Sequence, residues 1–215
     1  MKIRNRLLLL LSSFTALAAL AIDLTASALL DRAVRERAVE RLRAESGLLA
    51  RQVELVWPSS SPQGDLWADE AGAALGLRVT LIDAKGDLLG DSRVSLLELP
   101  ALENHLRRPE VVAAGINGFG ISTRHSTSIG SDMVYLARRI GPPAAPLGYL
   151  RLALPDSELR AVSRGYRLVL TSISLLALAL LSAGAYVMIR RFSRPIEEIS
   201  ATADRVASGD YDIVI

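Results

Sequence analysis

The chain has 215 residues, of which 50% are apolar, with 25 basic and 23 acidic side chains and a formal charge of +2. Residues 31–167 contain 18 basic and 17 acidic side chains, so no basic face argues for a nucleic-acid partner. The sequence has no cysteine, which excludes disulfides, cysteine zinc sites and thiol nucleophiles, and its length suffices for one domain of moderate size plus anchors.

The first apolar segment, residues 7–30, predicts a membrane helix that follows a basic start at residues 1–6. As a helix it is about 36 Å long, and Asp23 lies in its outer third, where a carboxylate costs less than at the bilayer centre. The basic start, the apolar stretch and Ala26-Ser27-Ala28 also fit a cleavable signal peptide. We favour a retained anchor, because the apolar stretch exceeds a usual signal core and a helical pattern continues beyond it.

Residues 31–56 are rich in charge but carry one apolar stripe with spacings of 3, 4 or 7, which predicts that the first helix extends beyond the membrane. Trp57-Pro58 ends this helix, and residues 59–64 form a linker. A short helix is expected at residues 65–75, before Gly76. A further helical segment is expected at residues 99–115, broken at Pro109.

Five segments have strand periodicity. Residues 77–82 and 88–90 flank a turn with Asp83 in its first position and Gly86 in its fourth, which favours a type I turn and therefore a β-hairpin. The three further strand candidates are residues 118–127, 133–140 and 147–154. The sequence therefore predicts a mixed α/β (α+β) domain with an antiparallel five-stranded sheet and its helices on one face.

The second apolar segment, residues 168–189, follows a helix that Asp156 caps. It carries no charge over 22 residues and is about 33 Å long as a helix, enough for a hydrocarbon core of about 30 Å. Arginines flank it equally on both sides, so the positive-inside rule does not decide its orientation. From the basic amino terminus we expect both termini to be cytoplasmic and residues 31–167 to lie outside the inner (plasma) membrane of a bacterium.

A new helix is expected to begin at Ser193-Arg194-Pro195, because proline suits a first helical turn. Gly209 ends it. Four apolar residues within it are spaced 3, 4 and 3 apart, as in a coiled-coil seam: Ile196, Ile199, Ala203 and Val206. Such a seam without a partner exposes its side chains to water, so the pattern predicts a parallel homodimer.

Residues 194–199, which begin Arg-Pro-Ile-Glu, and residues 207–212, with their Gly-Asp pair, resemble the first helix and connector of a HAMP signalling linker. Residues 190–215 are thus expected to form a partial HAMP linker. Residues 79–92 resemble the central hairpin of a Cache/PAS-type sensor domain. Three further segments are similar to the outer domain of phosphate-regulon-type (PhoR-like) sensor histidine kinases: residues 103–111, 120–130 and 133–137.

This resemblance implies a parent enzyme that autophosphorylates a histidine from ATP and passes the phosphoryl group to a response regulator. The two histidines, His105 and His125, both lie in the outer domain, so neither is expected to be the phosphoacceptor, and no catalytic residue is expected in this chain. ATP and Mg are expected only for a kinase core beyond residue 215, and no cofactor is expected here. The alternatives are the input module of a chemoreceptor or of a membrane cyclic-dinucleotide enzyme.

Five polar residues of the outer domain are candidates for a pocket that binds an anion or other small ligand through charge-assisted hydrogen bonds: His105, Arg108, Arg124, His125 and Ser126. The alternative is structural, with Asn104-His105 capping or fixing a helix and Arg124 pairing with a surface carboxylate. No metal site is expected, because the two histidines lie 20 residues apart without supporting ligand spacing.

Overall fold

The structure, a computed structural model, describes residues 3–126 and 130–207. It confirms a mixed α/β fold with a five-stranded antiparallel sheet. The elements in chain order are α1 (Ile3–Leu55), α2 (Ser61–Leu75), β1 (Arg78–Asp83), β2 (Leu88–Asp91), a 3₁₀ turn (Leu99–Ala101), α3 (Pro109–Asn117), β3 (Phe119–Ser126), β4 (Ser131–Ile140), β5 (Gly148–Pro155) and α4 (Asp156–Ala207).

The chain divides into two compact units. One unit is Asp31–Ser163; it is called the outer unit after the location expected from the sequence. The second unit combines Met1–Leu30 with Arg164–Ile215. The sheet lies in the outer unit and has the strand order β2-β1-β5-β4-β3. The central strand, β5, pairs antiparallel with both β1 and β4, and seven of its eight residues are buried. Because β5 is covered on both faces, its residues do not alternate between apolar and polar.

One face of the sheet packs against α2 and the part of α1 that belongs to the outer unit. The apolar stripe predicted for residues 31–56 supplies Leu42 and Val53, which are 1% and 0% exposed. They pack with strand residues such as Val79 and Leu152 in the main core. Complete burial of a side chain of this size stabilises the fold by roughly 1.5–3 kcal/mol. This packing explains why α1 stays helical although its surface is highly charged.

The opposite face is partly covered by α3, so the expectation that helices lie on one face only is wrong. Val111 and Ala114 of α3 pack against Ile82 and Tyr149 of the sheet. Gly120 of β3 lies so close to α3 that any side chain in its place would collide with the helix. The segment between β2 and α3 lies over the rest of this face. The candidate site is between this segment and the sheet.

Two helix boundaries differ from the sequence expectation. The expected helical segment over residues 99–115 is confirmed in part. The break at Pro109 and the helix after it are present as α3, but before Pro109 only the 3₁₀ turn forms, because Pro109 forces Arg108 into an extended conformation with ψ 134. The other helix, α2, begins at Ser61 rather than at residue 65, with Pro62 in its first turn. Of the expected strand 118–127, residue 127 lies outside the described residues.

By length and composition, α1 and α4 could each cross a membrane, with mean hydropathies of 1.8 and 2.2 over their most apolar windows. The predicted spans, residues 7–30 and 168–189, fall within them. Inside their common unit, Ser174 of α4 donates a hydrogen bond of 2.7 Å to Asp23 of α1. Asp23 is therefore held by a polar partner of the neighbouring helix.

The helix α4 runs through Pro195 to Ala207, so the start of a separate helix at Ser193 is not observed. The predicted seam residues lie on this helix: Ile196, Ile199, Ala203 and Val206. Gly209 lies outside the described residues. The seam and the homodimer therefore remain predictions.

Candidate ligand site

A cavity of about 260 Å³ lies on the sheet face that α3 covers only in part. Strands β1, β3, β4 and β5 supply its floor, and the segment from Ala101 to Arg108 supplies its wall. The lining residues are Arg78, Ala101, Leu102, Glu103, His105, Arg108, Arg124, Ser126, Tyr135 and Arg151. Four guanidinium groups thus converge on a space suited to a small molecule.

Four of the five site residues predicted from the sequence line this cavity: His105, Arg108, Arg124 and Ser126. The fifth, His125, does not. It follows Arg124 on β3, and successive side chains of a strand point to opposite faces. The His125 side chain is 61% exposed, and its Nδ1 lies 3.1 Å from Asp132 Oδ1. We therefore remove His125 from the candidate site.

Arg78 is held by a buried carboxylate beneath the cavity. Its Nε lies 2.9 and 3.0 Å from the two oxygens of Asp91, which is fully buried. Thr80 donates a further hydrogen bond of 2.7 Å to Asp91 Oδ2. This pair neutralises Arg78 and fixes its position in the floor.

Arg124 has a second buried carboxylate, Glu110 at the start of α3. Arg124 Nη2 donates to Glu110 Oε1 at 3.0 Å, and Ser122 donates to the other oxygen at 2.5 Å. Burial alone would raise the pKa of Glu110, but the hydrogen bonds from Arg124 and Ser122 outweigh it and lower the pKa. The Arg124 guanidinium also lies 4.2 Å from the ring centroid of Tyr135. Arg124 therefore pairs with a carboxylate, as the structural alternative expects, but this carboxylate is buried and not at the surface, since Glu110 is 0% exposed.

Among the four arginines that line the cavity, Arg151 shares both of its nearest carboxylates with other arginines. It is 1% exposed, and its Nη2 donates to Thr80 Oγ1 at 3.1 Å. Its nearest carboxylate oxygens belong to Asp91 and Glu110, at 3.7 and 3.8 Å, and both of these groups pair more closely with other arginines. Burial, and next the charge of Arg78, lower the pKa of Arg151 to about 10, so it remains charged at neutral pH.

His105 lies in the wall of the cavity and is 6% exposed. Its Nδ1 is 2.6 Å from the backbone carbonyl oxygen of Glu103. Burial, followed by the charge of Arg151, lowers the pKa of His105 to about 4, so the ring is neutral at neutral pH. At the mouth of the cavity, Arg108 Nη2 pairs with the exposed Glu103 carboxylate at 2.9 Å. The neighbouring Asn104 binds Lys85 and Asp87 of the hairpin turn, which fixes this wall to the sheet.

Sequence reasoning missed Arg78, Tyr135 and Arg151. A signal for one of them was present, because Arg151 interrupts an apolar run between Leu150 and Leu152 on a strand buried on both faces. Charged residues are almost never fully buried unless they are paired or functional. Arg78 and Tyr135 could be placed at the site only from the strand register, which puts both of them opposite Ala153 of β5.

A second polar cluster lies where the sheet ends and α4 begins. Asp156 is 2% exposed and accepts hydrogen bonds from Arg35 of α1 at 2.9 Å and from Arg160 at 2.5 Å. Arg160 also pairs with Asp132 of β4 at 3.4 Å. Because β5 ends at Pro155 and α4 begins at Asp156, no linker separates the central strand from the exit helix.

No protein-family model matches the sequence, and no curated protein matches it. Solved structures do match. The sensor domain of the V. cholerae histidine kinase DctB has a TM-score of 0.55 and 14% identity, over 66% of this chain and 58% of that chain. The ligand-binding domain of the Campylobacter jejuni chemoreceptor Tlp3 with 4-methylisoleucine has a TM-score of 0.50 and 14% identity, over 66% of this chain and 61% of that one.

The complex of the Tlp3 domain with L-valine gives a TM-score of 0.51 and 14% identity, over 71% of this chain and 66% of that chain. This chain thus spans about three fifths of the length of the first two structures. At these identities the likeness shows the fold. The sheet and its helices have the fold of the Cache-like sensory domains found in chemoreceptors and a histidine kinase.

Proposed function

We propose that this chain is the input and transmembrane segment of a bacterial membrane receptor whose outer unit binds a small anion in the arginine-lined cavity. The proposal rests on the balance between arginines and carboxylates around the cavity. Arg78, Arg108 and Arg124 each have a carboxylate oxygen within 3.0 Å, whereas the nearest to Arg151 is at 3.7 Å. An ionised group this deeply buried is costly unless it is paired. A bound anion supplies the missing counter-charge.

The strand that carries Arg151 continues directly into the helix that leads toward the output domain. Arg151 lies on the central strand, five residues before Asp156, and α4 starts directly after that strand. A shift of β5 on anion binding displaces the first turn of α4, which is held to α1 by the Arg35–Asp156 pair. Because α4 is an unbroken helix to Ala207, it transmits the displacement as a rod. The proposed recipient is a HAMP linker of a homodimer.

The class of output remains part of the proposal. The fold occurs in the sensory domains of both a histidine kinase and chemoreceptors. The sequence resemblance favours a phosphate-regulon-type sensor histidine kinase with a response regulator as partner. A chemoreceptor is the second candidate, since the solved chemoreceptor domains share this fold. We place the outer unit outside the inner membrane in either case. A His-Glu-x-x-x-Pro-Leu phrase after residue 215 would identify a kinase, and long Glu/Gln-rich heptads would identify a chemoreceptor.

The proposal is tested by isothermal titration of the full chain in nanodiscs against small anions, including inorganic phosphate, lactate and succinate. We expect at least one to bind, and Arg151→Met to abolish its binding. Arg107→Met is the matched control, because Arg107 carries the same charge next to Arg108 but does not line the cavity. Equal affinity in wild type and Arg151→Met, or no binding by any of the three anions, would contradict the proposal.

A further inference from the structure

We infer that the cavity selects anions that also carry a hydrogen-bond donor, and that His105 Nε2 is the atom that accepts this hydrogen bond. The inference rests on the proposed anion site and goes further, because it names the chemical class of the ligand. Hydrogen phosphate and small hydroxycarboxylates belong to this class. Sulfate and simple carboxylates do not.

The first step concerns the tautomer of His105. The partner of Nδ1 is a backbone carbonyl oxygen at 2.6 Å, and a carbonyl can only accept, so Nδ1 must carry the proton. The ring is neutral at neutral pH, because its pKa is lowered to about 4. A neutral imidazole with a proton on Nδ1 has a lone pair on Nε2. His105 Nε2 is therefore an acceptor.

The second step concerns what this acceptor faces. Among the residues that the structure describes, none gives His105 Nε2 a hydrogen bond, and His105 lines the cavity. Four guanidinium groups of the lining can only donate. The lining carboxylate of Glu103 is 81% exposed and paired with Arg108 at the mouth. The interior thus combines several cationic donors with the hydroxyls of Ser126 and Tyr135, which can donate or accept, and with His105 Nε2, which can only accept.

The ligand must satisfy both kinds of group. An anion without a donor leaves Nε2 unpaired in a largely buried wall, and an unpaired buried acceptor is costly. Hydrogen phosphate carries a hydroxyl that sulfate lacks, and lactate carries a hydroxyl that propionate lacks. The two pairs represent two sources of the same chemistry, a protonated oxyanion and a hydroxycarboxylate. Each pair is matched in charge and nearly matched in size.

The test is titration of the full chain in nanodiscs at neutral pH with phosphate against sulfate and with lactate against propionate. We expect the donor-bearing member of at least one pair to bind about tenfold more tightly or better. His105→Phe should reduce this preference to about threefold or less, while overall anion binding through Arg151 persists. Dissociation constants within about threefold in both pairs for the wild type would overturn this inference alone. Absence of binding by these four anions and by succinate would overturn the proposed function with it.

A second measurement needs no change to His105. The chain has two histidines, so the His125→Gln variant labelled with ¹⁵N-histidine reports on His105 alone. We expect a protonated Nδ1, an unprotonated Nε2, and an Nε2 resonance that moves when the donor-bearing anion binds. A proton on Nε2 in the ligand-free protein, or an Nε2 resonance that both members of a pair move equally, would refute the assignment.

Discussion

Acidification provides a specific test of how His105 is buried. In the folded outer unit its pKa is about 4, against 6.5 for an exposed histidine. Between these values the unfolded chain binds a proton that the folded chain excludes. His105 therefore contributes stability that is fully present above about pH 6.5 and is lost as the pH falls toward 4. At 1.36 kcal/mol per pKa unit, the loss is about 3 kcal/mol.

The assay is urea unfolding followed by tryptophan fluorescence across this pH range. Trp57 and Trp67 are the only tryptophans of the chain, and both pack against the main core of the outer unit. We expect the free energy of unfolding of the wild type to fall more steeply with decreasing pH than that of His105→Phe. Comparing the two chains removes the contribution of the carboxylates that titrate near pH 4.

His125→Gln is the control for this experiment, because the His125 side chain is largely exposed and lies outside the cavity. We expect the steeper loss of stability that His105 causes to persist in this variant. If wild type and His105→Phe instead give parallel profiles between pH 6.5 and 4, then His105 is not held neutral by burial. The assignment of a neutral His105 with its proton on Nδ1 would then rest only on the short contact between Nδ1 and the Glu103 carbonyl oxygen.

Three other predictions follow from the same contacts. Arg151→Met should change the free energy of unfolding by no more than about 1 kcal/mol, whereas Arg78→Met should cost about 3–5 kcal/mol because it removes the closest charged partner of the fully buried Asp91. Equal losses of unfolding free energy in urea would contradict the argument that Arg151 is the cavity arginine with the weakest carboxylate pairing. In spheroplasts, an impermeant thiol reagent should label a cysteine at Ser61 but not one at Ser208, and the reverse pattern would invert the topology. Inserting one alanine after Ile189 rotates the following helix by about 100° and should lock output in the full-length parent, while seven alanines restore the phase to within about 20° and should partly restore regulation. Normal regulation in both would exclude coupling through a rigid α4.

The fold followed from the sequence where periodicity and turns were clear. The hairpin of β1 and β2 and the last two strands lie within about two residues of their expected positions, because alternation and glycine-containing turns define them locally. The face that α3 covers could not be predicted. A nine-residue helix carries an apolar stripe, but the stripe does not say which side of a sheet it meets. That choice depends on the close approach at Gly120, which is a tertiary contact.

The site was predictable only in part for a related reason. His105, Arg108, Arg124 and Ser126 lie within 22 residues of one another, so their common location could be inferred from local pattern. Arg151 reaches the cavity because β5 pairs with β4 on one side and, on the other, with β1, which lies about 70 residues earlier in the chain. Its lack of a carboxylate of its own, on which the proposed function rests, is a property of distances that no sequence pattern contains.

The measurement that tests the account most directly joins binding to signalling. The whole chain is fused after residue 215 to the HAMP connector and kinase core of a characterised receptor, and autophosphorylation in membranes is measured with and without the anion that the titrations identify. We expect the anion to change the activity of the wild-type fusion and of the Arg107→Met fusion, but not that of the Arg151→Met fusion. An anion that binds the outer unit yet leaves the wild-type fusion unchanged, or changes the Arg151→Met fusion equally, would contradict the account.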